Sequence, residues 1–459
     1  MTWTAELGAE ITGQVLTDDT SREAASTDFG RVIVRKPAAV VRPASAEDVA
    51  KTLKFAAQHS LSVSTRGGGH SQTGQSLSDH IVLDMSSLSA LRAVDEVGGS
   101  VTCQGGLKWR SLAEQLAHQC LSPPVLTNNL DVTIGGTLST GGLGVASWRY
   151  GTQADNCLEL EVVTGEGEIV HCSAASNQEL FNAVRAGMGQ FGVMTEAKLK
   201  IRKHRPRFRS FYLLYDDLGV LLEDLKVVMT DERFDFLESW CVPAPIGFKK
   251  VGADRQAFAQ WFYPLHATVE CDEGAAPDAQ EKLAGLKHYK HVHTEDGEMM
   301  EFFGRLDTLF AIWRRAGFWE YAHPWMECVL PWQTTGLYIG QVLQNLPPQA
   351  IAGGHILLWP SRGNVSNVPL FMRPTGDFVM GFGILPAVPK QFLDQALPRL
   401  NMASQASILM GGKRYLSGWI PFDAAQWKAH YGDKWETVLA LKKKYDPKGL
   451  LNPGFVTYA

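Results

Sequence analysis

Three short glycine runs carry the residues whose types and spacing could do chemistry in this chain. The first is Arg66-Gly67-Gly68-Gly69-His70-Ser71. The second, Thr133-Ile134-Gly135-Gly136-Thr137-Leu138-Ser139-Thr140-Gly141-Gly142-Leu143-Gly144, puts five glycines and four hydroxyls into twelve residues. The third is Gly187-Met188-Gly189-Gln190-Phe191-Gly192. A glycine loop exposes successive backbone N–H groups and admits a ligand closer than any Cβ would allow, which suits a pyrophosphate. A single Gly-Gly-Gly reads as an irregular surface turn. Two such loops in one half of the chain point instead to a phosphate-bearing small molecule.

The elements around the runs decide what kind of loop each is. Ala39-Val40-Val41-Arg42-Pro43 reads as a short strand. Ser45, with Asp48 three residues on, opens a helix whose apolar positions Val49, Leu53 and Ala56 recur at i, i+4 and i+7, and which ends near Ser60. Leu61-Ser62-Val63-Ser64-Thr65 then runs as a strand into the first glycine loop. The third run matches G-x-G-x-x-G, but a dinucleotide fingerprint needs a strand before it and a helix after it. Here residues 179–185 have helical character and residues 193–201 alternate as a strand, so that reading is excluded. No G-x-x-x-x-G-K-[ST] occurs, and Gly69-His70-Ser71-Gln72-Thr73 lacks the second glycine of a hydrolase nucleophile elbow. His288, His291 and His293, with Glu295 and Asp296, lie in a charged stretch poor in apolar residues and read as a solvated loop. No metal site is expected.

Bulk properties narrow the class further. A length of 459 residues gives material for two or three domains. The net charge is −5, and the Lys/Arg blocks do not exceed Lys442-Lys443-Lys444, so nucleic acid is a poor partner. The seven cysteines are odd in number and include no C-x-x-C pair, which argues against zinc ribbons and a disulfide framework. Glu6 sits where a signal peptide needs cations, and no apolar run reaches the roughly 18 residues of a membrane span. The expectation is a soluble, cytoplasmic protein with no membrane partner.

Together, the first loop with Gln75, the stretch 133–139, Leu158-Glu159-Leu160-Glu161-Val162-Val163-Thr164-Gly165 with Glu168, and Gly189-Gln190-Phe191-Gly192-Val193 resemble the FAD-binding domain of the vanillyl-alcohol-oxidase superfamily. His323-Pro324-Trp325, Trp359-Pro360, Lys413-x-Tyr415-Leu416 and the close Tyr445-Asp446-Pro447-Lys448-Gly449-Leu450-Leu451-Asn452-Pro453-Gly454 narrow the resemblance to cytokinin dehydrogenases. The resemblance implies an α+β fold. A two-subdomain FAD-binding domain, residues 1–205 with a return at 421–459, would flank a substrate domain at 206–420 built on an antiparallel sheet flanked by helices.

It also implies roles. His70 would bond covalently to the 8α-methyl of FAD. Backbone groups of Thr65, Gly67, Gly68 and Gly69 and side chains of Ser71, Gln75, Thr133 and Ser139 would hold the pyrophosphate and ribityl chain. Leu143 and Val193 would meet the cofactor through their backbones, and Tyr415 and Asn452 would close over the flavin. Relatives with a second tether place a cysteine where Asn128 and Asn129 stand, so a single link is implied.

After Pro206 aromatic residues rise, among them Phe208, Phe211, Tyr212, Tyr215, Trp240, Trp261, Phe262, Trp313, Trp319 and Trp332, and most are expected in the core. Trp325, in the matched His-Pro-Trp, and Glu238, which resembles a glutamate at the family's substrate entrance or else is an exposed strand acid, are the candidates for catalysis. One departure stands out. The family's catalytic aspartate is replaced by Asn128, whose amide can orient a donor but cannot take a proton. Asp131 is the nearest carboxylate in sequence, although odd spacing on an extended segment turns it to the opposite face.

The implied reaction moves a hydride from a carbon bearing nitrogen or oxygen to flavin N5, with dioxygen or another acceptor taking the electrons. A secondary amine is the favoured small-molecule substrate. An alcohol or sugar oxidase, including a biosynthetic one, is the alternative, and a flavin-binding protein without catalysis is a third reading.

Overall fold

The computed structural model describes residues 2–243, 247–258, 261–346 and 354–458. Its elements form three principal sheets. The first has the order Gln14–Leu16, Ala39–Arg42, Ile81–Asp84, Val63–Arg66, and the last three strands run parallel. The helix Ala46–His59 makes the crossover, burying Val49, Leu53 and Ala56 against Val41, Val63, Ile81 and Leu83. Ser45 caps it by accepting from Asp48 N–H at 3.3 Å, and Ser60 ends it in the left-handed region at φ 55°. The capping box is only half made. The Asp48 carboxylate instead accepts from the N–H groups of Thr12, Gly13 and Ala44, tying the N-terminal segment to the helix.

The second sheet is antiparallel, in the order Leu91–Asp95, Ser100–Gln104, Val193–Lys200, Cys157–Val163, Ile169–Ser173. Helices Trp109–Ala117 and Gln178–Val184 pack their apolar stripes, including Leu112, Leu116 and Phe181, into its core.

The third sheet has eight antiparallel strands, ordered Lys290–Glu298, Arg207–Tyr215, Trp261–Cys271, Phe236–Pro243, His355–Arg362, Phe378–Leu385, Met326–Pro331, Lys413–Arg414. Alternation divides its faces. Met326, Cys328 and Leu330, with Ile356, Leu358, Met380 and Phe382, enter a core shared with the helices Leu218–Asp231, Trp332–Asn345 and Leu393–Leu409. The residues between them, Glu327, Leu357 and Trp359 among them, turn to the other face, where the cavity described below lies.

The fold is therefore a mixture of helices and antiparallel sheets with one mostly parallel sheet, as the resemblance implied. Two expectations change. The 288–298 segment is not a loop, because Lys290–Glu298 is an edge strand of the eight-stranded sheet. Most of its side chains are exposed, and no metal-ligating group is formed among the described residues. Of the aromatics expected in the core, Phe208, Phe211, Tyr215 and Trp313 are buried, whereas Tyr212, Trp240, Trp261, Phe262, Trp319 and Trp332 are half-buried.

Candidate active site

The strand Val63–Arg66 delivers the first glycine loop to one end of a single cavity. A Cβ on Gly67 would overlap Thr133 Oγ1, so the first and second runs touch only because Gly67 has no side chain. Among the described residues, the N–H groups of Gly68, Gly69 and His70 find no protein acceptor. Backbone donors are seldom left unused where chain packs on chain, so these three suit an anionic ligand. Behind the loop, Asp28 accepts from Ser71 Oγ at 3.0 Å and from Gly74 N–H at 2.9 Å. Burial pushes its carboxyl up to about 6.

The third run joins through Asn452, which has a left-handed backbone at φ 44°. Its Oδ1 accepts from Thr65 N–H at 2.9 Å and its Nδ2 donates to Gly189 O at 2.9 Å, so the amide fastens the first run to the third. Val63 N–H donates to Leu450 O and Asn452 N–H to Val63 O, which brings the chain's last segment onto the edge of the first sheet. Thr65, Gly67, Gly68, Gly69, Thr133 and Val193 line this end, as does Asn452.

Ser71, Gln75 and Ser139 line it too, but their side chains serve the loops themselves. Gln75 Oε1 accepts from Gln72 and Thr73 N–H, and Ser139 Oγ donates to Gly135 O at 2.8 Å. These three were expected to reach the cofactor with their side chains. In the structure Ser71 Oγ donates to Asp28, Gln75 uses Oε1 within its own turn, and Ser139 Oγ donates to the preceding helical turn, while all three still line the cavity.

At the other end the cavity meets the eight-stranded sheet. His70 bridges the two regions, its ring stacked on Phe29 at 4.1 Å and edge-on to Trp325 at 5.4 Å. Among the described residues the one hydrogen bond of its ring is to its own backbone, and burial pulls its pKa down to about 4, leaving a neutral imidazole. Leu143, Trp325, Glu327, His355, Trp359 and Tyr415 line the cavity here. Burial raises the Tyr415 phenol to about 12, so it stays protonated. Gly381 and Gly383 carry no side chain on this face, and a Cβ on either would come within 3.0 Å of the Trp359 ring.

Asn128 also lines the cavity, with both ends of its amide engaged. Nδ2 donates to Glu238 Oε1 at 2.8 Å, and Oδ1 accepts from Arg305 Nη2 at 2.6 Å. Arg305 Nε also donates to Glu238 Oε2 at 3.2 Å, closing a triangle. Glu238 is therefore not an exposed strand acid: it is 2% exposed and sits behind Asn128 rather than in the cavity wall. Burial alone would raise its carboxyl, but Arg305, His266 and the Asn128 amide together hold it below the ordinary range.

Asp131 is removed from the site. Its carboxylate accepts from Arg110 Nε at 3.0 Å, Arg110 pairs in turn with Asp307, and Asp131 is absent from the cavity wall. It does not share the cavity that Asn128 lines.

Two residues escaped the sequence reading. Arg305 follows a helix, Met299–Phe303, with nothing local to mark it. Glu327, two residues after the matched tryptophan on a strand, could have been found, because the period of two puts it on Trp325's face.

Comparison with known proteins places this geometry. A FAD binding domain matches residues 37–173, spanning the first two glycine runs. A domain described as "Cytokinin dehydrogenase 1, FAD and cytokinin binding" matches residues 248–458. Cytokinin dehydrogenase 4 of Oryza sativa subsp. japonica is 31% identical, over 98% of this chain and 91% of that protein. The chain belongs to the cytokinin dehydrogenase family.

An uncharacterised oxidoreductase, ORF5 in the fasciation locus of Rhodococcoides fascians, is likewise 31% identical, over 96% and 98% of the two chains. The crystal structure of 6-hydroxy-D-nicotine oxidase from Arthrobacter nicotinovorans shares the fold, with a TM-score of 0.70, 21% identity and 96% coverage of each chain. The protein is thus a FAD-dependent oxidoreductase. The unpaired N–H groups at 68–70 and the side-chain-free approach at Gly67 fit the cofactor's pyrophosphate.

Proposed function

We propose that this enzyme oxidises a secondary amine at the carbon next to nitrogen, using FAD joined covalently to His70. One observation carries the reading. A single cavity runs from the unpaired N–H groups of the first glycine loop, past a neutral His70 ring, to an aromatic face of the sheet that holds one carboxylate. A neutral imidazole keeps the lone pair that attack on the flavin 8α-methyl requires. Cytokinins and nicotines, for which a relative and a structural neighbour are named, are nitrogen bases, which supports an amine.

Bound FAD supplies a two-electron acceptor for the hydrogen on that carbon, and dioxygen or another acceptor reoxidises it. The chain's part is positioning: Trp325, Trp359 and Leu357 present flat and apolar surface on which a planar base can lie. In this reading residues 1–205 and 421–459 hold FAD and 206–420 close over the substrate. Seven unpaired thiols support a reducing, cytoplasmic setting.

Anaerobic mixing with isoprenoid adenines and a panel of secondary amines is expected to bleach the flavin. Bleaching only by alcohols or sugars would move the assignment to an alcohol oxidase, and no bleaching by either panel would leave a flavin-binding protein. Acid-precipitated protein is expected to stay yellow, and His70→Ala to give a colourless pellet. A colourless wild-type pellet would sink the covalent link.

A further inference from the structure

With Asn128 tied between Glu238 and Arg305, the group that takes the substrate's proton must lie elsewhere in the cavity. Four of the described residues that line it titrate: His70, Glu327, His355 and Tyr415. We propose that Glu327 is the proton acceptor, receiving at Oε1 the N–H proton of an amine substrate seated between the flavin site and the sheet. This rests on the amine-oxidase reading above.

The geometry of Glu327 singles it out. It follows Trp325 by two residues, so both face the cavity while Met326 and Cys328 point into the helix-covered core. The residue opposite it on the neighbouring strand is Gly383, with Leu357 opposite Gly383 in turn, so the position directly across offers the carboxylate no polar partner, and the Trp359 ring and Leu385 lie over that glycine. Ser417 Oγ donates to Oε2 and fixes the group. Oε1 has no protein partner among the described residues, yet it is not one of the fully buried orphan atoms, so it is open to the cavity.

The surrounding charges agree. Burial is the main influence on the carboxyl and pushes it up to about 7, with Ser417 and Arg414 opposing. Arg414 spends its Nε on Glu327's backbone carbonyl, at 2.8 Å, rather than on the carboxylate. Tyr415 and Cys328 are held protonated by burial, and the Glu327 charge adds to this. His70 and His355, both lowered to about 4 by burial, are neutral and too weakly basic to compete. A carboxylate that titrates near the working pH is well matched to this task.

The step balances. The N–H bond breaks as an O–H bond forms at Oε1, the carbon's hydrogen leaves with two electrons for FAD, and the C–N bond becomes C=N. A donor nitrogen must therefore carry a proton, which restricts this route to primary and secondary amines.

The test compares wild type, Glu327→Gln and Ser417→Ala as holoenzymes. Anaerobic bleaching by the best secondary amine, followed against pH, is expected to rise through about 7 in wild type. E327Q should lower the rate at least about 100-fold and lose that limb. S417A, which removes a bond favouring the anion, should move the limb to higher pH. Any limb due to the amine's own ionisation would be common to all three proteins. The N-methylated substrate, which has no N–H, should be bleached equally by wild type and E327Q.

A second readout needs no turnover. In pH-difference infrared spectra, a carbonyl stretch of a protonated carboxyl should be lost through about 7 in wild type and be missing in E327Q, which keeps only the Asp28 band lost through about 6. An E327Q enzyme that keeps the limb and a rate within threefold of wild type overturns the proposal while leaving amine oxidation intact. Bleaching only by alcohols, with the limb lost in E327Q, overturns the amine reading and keeps Glu327 as acceptor of an O–H proton. If no donor bleaches wild type, both fall.

Discussion

Replacing Arg305 by methionine tests the triangle that ties up Asn128. The guanidinium is 18% exposed and faces a Glu238 carboxylate that is 3% exposed, so the pair is nearly dry. Removing the cation leaves a buried, uncompensated charge, which costs about 3–5 kcal/mol when one partner of such a pair is deleted. Removing both charges, in Arg305→Met with Glu238→Gln, leaves no orphan, so the double variant should be more stable than R305M alone. The four proteins of the cycle are compared by urea unfolding followed by tryptophan fluorescence. The coupling between the two sites is expected to exceed about 1 kcal/mol.

The effect has a sign in pH as well. Glu238 titrates below its ordinary value in the folded protein, so the stability it contributes is present at neutral pH and lost as pH falls into the acid range. The R305M cost should therefore be largest at pH 7 and shrink as the orphaned carboxyl takes up a proton. Strict additivity of the two single variants, or an R305M cost that does not change with pH, would refute the reasoning.

Three further outcomes follow from the same geometry. Gly67→Ala should abolish FAD retention while leaving the second sheet intact, because the new Cβ meets Thr133 Oγ1; flavin absorbance and far-ultraviolet circular dichroism measure the two effects. Asn128→Asp replaces a donor 2.8 Å from Glu238 Oε1 by a second carboxylate, so the variant should lose stability at pH 8 relative to pH 5, read as a shift in the urea midpoint. Asp28 is raised from 3.8 to about 6 by burial, a difference worth about 3 kcal/mol. That stability is complete below about 4 and is lost as pH rises through about 6, so Asp28→Asn should flatten the unfolding midpoint over this interval.

Local signals in the chain were strong wherever one element forms its own site. The glycine runs, the i, i+4, i+7 stripe after Ser45 and the strand after Gly192 all depend on neighbours within a few residues, and each was legible. The Lys290–Glu298 strand was not, because as an exposed edge strand it shows no alternation of apolar and polar residues. The site's ionic contacts were hidden for another reason. Asn128 meets Glu238 across 110 residues and Arg305 across 177, and nothing in a linear pattern fixes such a pairing. Asp131 looked like a substitute because it is close in sequence, yet Arg110 had already claimed its carboxylate.

The amide at position 128 sets the charge of a dry cluster. Glu238 and Arg305 cancel, so an amide at 128 keeps the cluster neutral, while an aspartate there would set two carboxylates against one guanidinium. The Glu238 carboxylate would raise an aspartate at 128 while the Arg305 guanidinium would lower it, and the amide keeps the cluster free of that competition. Glu327 has no such competitor. It is fixed through Oε2 by a hydroxyl, it leaves Oε1 to the cavity, and it shares a strand face with the tryptophan of the His-Pro-Trp motif. A proton acceptor is therefore available in the cavity without a carboxylate at 128. On this sheet it can be supplied by Glu327, which lines the same cavity two residues after Trp325.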